Sequence, residues 1–214
     1  MDERDSGIIL RTRPLTDTSL IVHWLTADHG RIATVAKGAR RPKAPLFGKL
    51  DLFFEAQFSF QPGRRSDLHA LREVRLVDQN PGVRSDYTRL SQLSYAVQLM
   101  ESVTETDTPL AEVYALFHGF LKAVATVPPQ PRLIYAFEIK FMATQGMEPD
   151  SSEHRMGEEA RDLLRQLDML DWLEISRLKA GPGAVRQLRQ FLRGFLAFHL
   201  GRLPTSRSLA VGEA

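Results

Sequence analysis

The chain has 214 residues, 43% of them hydrophobic, enough for one large core or two small ones. It contains no cysteine, which removes disulfides, thiolate zinc sites, iron–sulfur clusters and cysteine nucleophiles together. The formal charge of +2 is unevenly spread: residues 1–80 hold 13 Lys and Arg against 10 Asp and Glu, whereas residues 81–214 hold 15 against 16.

The opening MDERDSG is acidic and lacks the basic and apolar regions of a signal peptide, and no apolar run approaches the roughly 18 residues of a membrane span. The expected location is the cytoplasm, with no membrane partner. Five runs of strand composition follow: GIILRT (7–12), SLIVHWLT (19–26), RIATVAK (31–37), LFFEAQFSF (52–60) and LHALREVRLV (68–77), each bounded by turn residues. In the fourth, Leu52, Phe54, Ala56, Phe58 and Phe60 alternate with Glu55, Gln57 and Ser59, which predicts a half-buried antiparallel strand. So many strands in so short a stretch suggest a small barrel, because closure removes exposed sheet edges.

After NPG at 80–82 the apolar spacing becomes helical, with Leu90, Leu93, Val97, Met100 and Thr104 on one stripe and Leu110, Val113, Phe117, Phe120 and Val124 on the next. Thr108 and Pro109 predict an N-cap and first helical position. PPQP at 128–131 ends that helix and starts one carrying Leu133, Ile134, Phe137 and Phe141 before Gly146. Two further helices are expected near 156–168 and 183–203. The fold class is α+β with two domains: a five-stranded barrel over 1–80 and an all-helical domain over 81–214.

Little in the sequence points to catalysis. His23, His29, His69, His118, His154 and His199 are scattered singly, and there is no G-x-S-x-G elbow, P-loop or dinucleotide fingerprint. Asp51 and Glu55 lie near a basic run, but no further acids stand at useful spacing, so they read as a solvated strand face. No enzymatic activity, metal or cofactor is expected.

Binding is the better prospect. Residues 29–50 carry Arg31, Lys37, Arg40, Arg41, Lys43 and Lys49 and no carboxylate. Gly38, Pro42 and Pro45 exclude regular helix or central strand there, which predicts a stiff, extended loop presenting cations. If all six groups neutralised phosphates, the log–log salt slope on a single strand would be about −4, at about −0.7 per charge. Arg64 and Arg65 add charge to a neighbouring turn. Most aromatics nearby alternate as core residues; Phe47 and Trp24 are the two that could instead stack on bases.

The order ILRTRP, then LTADHGRIATVAKGARRPK, then GKLDLF resembles the N-terminal domain of the RecO family of bacterial recombination mediators. In the helical half, AFEIKFMATQGMEP (136–149) resembles that family's F-E-L helix, and LGRLPTSRSL (200–209) resembles its S-R-x-L tail. The resemblance implies an oligonucleotide-binding (OB) barrel whose contacts would include Arg31, Lys37, Arg40, Arg41, Lys43, Lys49, Arg64 and Arg65. It implies binding of single- and double-stranded DNA, annealing of complementary strands, and association with the nucleoid. It further implies partnership with RecR, with the acidic C-terminal tail of single-stranded DNA-binding protein (SSB), and indirectly with RecA. An acidic tail ending in an apolar residue calls for a groove rimmed by cations, for which Arg132, Lys140, Arg189 and Arg193 are candidates.

The chain departs from the family pattern in one respect. Many relatives carry a four-cysteine zinc module after the F-E-L helix, whereas here only PDSSEHRMGEE follows it. Two other readings compete with the mediator. The stretch 166–194 can be read as a helix-turn-helix with Arg186, Arg189 and Arg193 on a recognition helix, although Val185, Leu188, Leu192, Phe195 and His199 form a core stripe on that helix. The chain could also be an adaptor that binds an acidic protein and no DNA.

Overall fold

The computed structural model describes residues 2–63, 66–149 and 156–212. The chain divides into two compact units: Met1–Pro81 with Glu105–His118, and Gly82–Thr104 with Gly119–Ala214.

The first unit is a closed barrel of β1 (Glu3–Pro14), β2 (Leu20–Thr26), β3 (Arg31–Ala36), β4 (Glu55–Gln61) and β5 (Leu68–Asp78). The strands run in the order β1-β2-β3-β5-β4, closing on β1; all neighbours are antiparallel except β3 and β5. This is the OB-fold arrangement, and it leaves no free edge. Ile9, Val22, Ile32, Phe58, Phe60 and Val74 fill the barrel. Trp24 belongs to this core and is not a stacking platform: it is fully buried, stacks on Phe58 at 4.1 Å, and donates from its indole N–H to Thr34 Oγ1 at 2.9 Å.

The fourth strand starts three residues later than its alternation predicts. The Phe54 N–H closes a turn onto the Asp51 carbonyl, and Phe53 takes φ 62° with its side chain 2% exposed. That reversal buries Phe53 and Phe54, the latter in the barrel core, before the ladder begins at Glu55. Glu55 is not a solvated face residue: it is 8% exposed and accepts from Asn80 Nδ2 at 2.9 Å, with His118 Nε2 at 3.1 Å. A carboxylate can be buried here because both partners meet it.

Residues 105–118 complete this unit. Gly30, in the β2–β3 turn, has φ 65°, and a Cβ there would lie 1.8 Å from the Thr108 carbonyl oxygen. The Asp107 N–H donates to the Arg31 carbonyl at 3.0 Å and the Leu110 N–H to that of Ala27 at 3.3 Å. Thr108 therefore does not cap the following helix. Its hydroxyl donates to the Thr106 carbonyl, and α2 (Ala111–Thr126) begins only where the barrel releases the backbone.

The second unit holds α1 (Tyr87–Val103), the end of α2, α3 (Pro131–Thr144), α4 (Glu158–Met169), α5 (Trp172–Arg177), α6 (Pro182–Leu200) and α7 (Arg207–Ala210). Asp86 caps α1 by accepting from the Thr88 N–H. Pro131 opens α3, and Gly146 closes it at φ 71°: the Met147 N–H reaches the Met142 carbonyl and the Gly146 N–H that of Ala143, which is a Schellman end. Leu133, Ile134, Phe137 and Phe141 are buried as their spacing predicts.

The sequence reading missed α5, whose signal is a capping box: the Asp171 carboxylate accepts from the Glu174 N–H, and the Glu174 carboxylate from the Asp171 N–H. On α6 the buried stripe is Ala184, Leu188, Leu192 and Leu196. Val185 and Phe195 are half-buried and His199 is exposed, so the expected stripe is rotated by about one residue. Ala184 and Leu196 repeat every fourth residue with Leu188 and Leu192, and small Ala184 carried too little hydrophobic signal to fix the face.

Candidate nucleic-acid interface

The β3–β4 connection is built from consecutive tight turns instead of the extended loop that its prolines and glycine suggest. Arg41 N–H bonds to the Gly38 carbonyl at 3.0 Å, Ala44 to Arg41 at 3.1 Å, Phe47 to Ala44 at 3.0 Å and Lys49 to Leu46 at 3.2 Å. Gly38, Lys43 and Gly48 all have positive φ, which supplies the reversals. Ala39 and Leu46 are 4% and 8% exposed and join the barrel core, so the loop is pinned at two points.

That winding sorts the cations. Lys37, Arg40, Arg41 and Lys43 are exposed. Arg40 is tethered to the β1–β2 connection: its N–H donates to the Thr18 carbonyl at 3.0 Å and its Nη1 to that of Thr16 at 3.3 Å. Lys49 is half-buried and donates to the Val74 carbonyl at 3.4 Å, so its ammonium lies against β5.

Arg31 is not with them. It begins β3, whereas the loop leaves from Ala36, so the two are separated along the strand by about 16 Å at about 3.3 Å per residue. Arg31 is half-buried and lies beside Thr106 and Asp107. Arg64 and Arg65 lie outside the described residues.

Three basic side chains that the sequence reading did not single out share a surface with Lys49. Arg4 on β1 and Arg72 and Arg75 on β5 line an open cleft of about 890 Å³. Asp5, Asp28 and Glu73 also line it, so its charge nearly cancels. Arg72 donates to Gln61 Oε1 as well. Their signal was weak because single arginines on alternating strands look like ordinary solvated faces.

Three histidines of this unit pair with carboxylates far away in sequence. His29 contacts Asp5 Oδ2 at 2.6 Å and Glu3 Oε2 at 3.0 Å; His69 contacts Asp107 at 3.2 Å; His118 contacts Glu55. Burial opposes the His29 imidazolium, but the hydrogen bond and charge of Asp5, then the charge of Glu3, outweigh it and raise its pKa above the usual value. Among the described residues, no three acidic or histidine side chains are grouped to hold a metal ion.

The four helical candidates separate into two pairs. Arg132 and Lys140 sit on α3, both half-buried. Lys140 donates to the Asp168 carbonyl, and burial lowers its pKa despite the charges of Asp168 and Asp171. Arg189 and Arg193 are exposed on α6, where with Arg186, Phe191, Phe195 and Phe198 they line an open surface that includes neither Arg132 nor Lys140. Phe198 is 84% exposed.

A barrel of this strand order with helices after it defines an OB-fold protein with an appended helical domain. The family description "Recombination protein O N terminal" matches residues 1–80, and "Recombination protein O C terminal" matches residues 84–158. The chain belongs to the RecO family. Curated relatives include proteins named DNA repair protein RecO. That of Chromobacterium violaceum is 31% identical over 159 residues, covering 73% of this chain and 62% of the relative. That of Anaeromyxobacter dehalogenans is 28% identical over 144 residues, covering 67% and 57%, and that of Streptomyces coelicolor 30% over 154 residues, covering 68% and 62%. The chain thus spans less than two thirds of the length of these relatives. No helix among the described residues is long and apolar enough to cross a membrane.

Proposed function

We propose that this chain is a non-catalytic DNA-binding protein of recombinational repair that holds DNA through its β3–β4 loop and anneals complementary strands. The observation that carries this reading is the cluster of exposed Lys37, Arg40, Arg41 and Lys43, without an intervening carboxylate, on an OB barrel of the RecO family. Phosphate backbones repel one another, and a cationic surface that screens both lowers the cost of bringing two strands together. Nothing in this mechanism requires a covalent step.

The family resemblance supports the wider assembly: RecR as partner, the SSB tail as peptide ligand, and delivery of RecA onto SSB-coated DNA as outcome, in the bacterial cytoplasm at the nucleoid. For the acidic tail, Arg189 and Arg193 share the α6 surface with the exposed Phe198, an apolar-and-basic combination that the α3 pair Arg132 and Lys140 is not seen to offer. The deciding experiment is an anisotropy titration of oligonucleotides of unrelated sequence over a range of salt. Equal, salt-dependent affinity supports the mediator, strong sequence dependence supports a helix-turn-helix regulator, and no binding at moderate salt supports the adaptor.

A further inference from the structure

We propose that Phe47 is a base-stacking platform that makes the loop selective for unpaired nucleic acid over duplex. This rests on the reading of the loop as a DNA site and adds to it which form of DNA the site prefers.

The loop sorts its apolar side chains. Leu46 and Ala39 enter the barrel core, yet Phe47, next in sequence to Leu46, is 55% exposed. Among the described residues of the barrel unit it is the one exposed aromatic; Trp24, Phe53, Phe54, Phe58, Phe60 and Phe117 are buried and Tyr114 is half-buried. Its outward position is fixed by the backbone: the Phe47 N–H closes one turn onto Ala44, and the next turn runs from Leu46 to Lys49 through Gly48 at φ 74°. A ring held on hydrogen-bonded turns loses little conformational freedom on binding, which is what a platform needs.

Its neighbours along the loop are cationic. Arg41 and Lys43 are exposed in the turns just before it, and residues 29–50 contain no acid. Phosphate contacts to Arg41 and Lys43 serve single and double strands alike. Stacking on Phe47 requires an open base face, which only an unpaired strand offers. During annealing each base that pairs becomes unavailable to Phe47, so the finished duplex is held more weakly than the strands that formed it.

The test compares the full chain with Phe47→Leu and Phe47→Trp, using a dT oligonucleotide, an abasic oligonucleotide of equal length and a blunt hairpin duplex in anisotropy titrations. Phe47→Leu is expected to weaken dT binding about tenfold, in line with the usual worth of one stacked base, and to leave abasic and duplex binding within about twofold. Phe47→Trp is expected to restore dT binding, with emission above the wild-type background that dT quenches and the abasic strand does not. Equal weakening on all three ligands, or on none, overturns the platform while leaving the phosphate reading intact. Failure of the wild type to bind any of them overturns the DNA reading, and the platform with it.

Discussion

The guanidinium of Arg207 donates two hydrogen bonds to the Glu138 carboxylate, at 2.7 and 2.9 Å, across 69 residues of sequence. The Tyr95 hydroxyl donates to the same carboxylate at 2.6 Å. Glu138 is the acid of the F-E-L-like helix and Arg207 the arginine of the S-R-x-L-like tail, so the two segments that resemble the family in the helical half are physically one contact. It ties α1, α3 and α7 together with Glu138 fully buried and Arg207 5% exposed. Burial, and then the Glu138 charge, push the Tyr95 hydroxyl well above its ordinary pKa, so it stays protonated as a donor.

Breaking that pair by Arg207→Ala should cost about 3–5 kcal/mol, because it strands a buried carboxylate. Replacing both partners, Glu138→Leu with Arg207→Met, should cost less than the single change. Urea denaturation of the wild type and the two variants checks the order; equal losses would mean that the contribution is packing and not charge pairing.

Changing Lys37, Arg40, Arg41 and Lys43 to Ala should flatten the log–log salt slope on a single strand by about 3, at about 0.7 per phosphate neutralised. Arg31→Ala, at the far end of β3, should leave most of that slope in place. Annealing rates of complementary oligonucleotides should fall in the quadruple variant. An unchanged slope removes the loop as the DNA site.

The His29 pair predicts a direction for pH. Because the folded state raises its pKa above the ordinary 6.5, its contribution is fully present below that value and lost as pH rises through the folded pKa. Thermal denaturation between about pH 6 and 8 should show the wild type losing stability relative to His29→Gln. Parallel curves would assign the interaction no role in stability.

Gly30→Ala and Gly48→Ala separate strain from collision. Both positions have positive φ, but an added methyl at Gly48 meets nothing within 4 Å, whereas at Gly30 it meets the Thr108 backbone. Gly48→Ala should cost about 1–2 kcal/mol from the backbone alone. Gly30→Ala should cost clearly more, read as a lower melting temperature.

Much of the fold is legible in the sequence because period is a local property. The five strands and the helices after residue 80 emerge from alternation and three-four spacing, with errors where a tertiary contact overrides the local signal. Phe53 is one such case: nothing in LFFEAQFSF announces that a left-handed Phe will end the turn. Thr108 is another, since a good capping residue is recruited by the β2–β3 turn. The cationic loop is equally legible as composition, but its sorting is not. That Lys49 leans on the Val74 carbonyl, or that Arg31 stands at the other end of β3, depends on where the chain folds back. The histidine–carboxylate pairs were invisible for the same reason, because their members are 24 to 63 residues apart.

The lodging of residues 105–118 against the Gly30 turn also bears on modularity. A fragment ending at residue 80 carries all five strands and Asn80, yet it lacks the Thr108 backbone that covers Gly30, the Asp107 that meets His69, and the His118 that meets Glu55. A cut after the last strand would therefore leave Gly30, His69 and Glu55 without these partners. During synthesis, too, the segment that covers Gly30 is made only after the whole of α1.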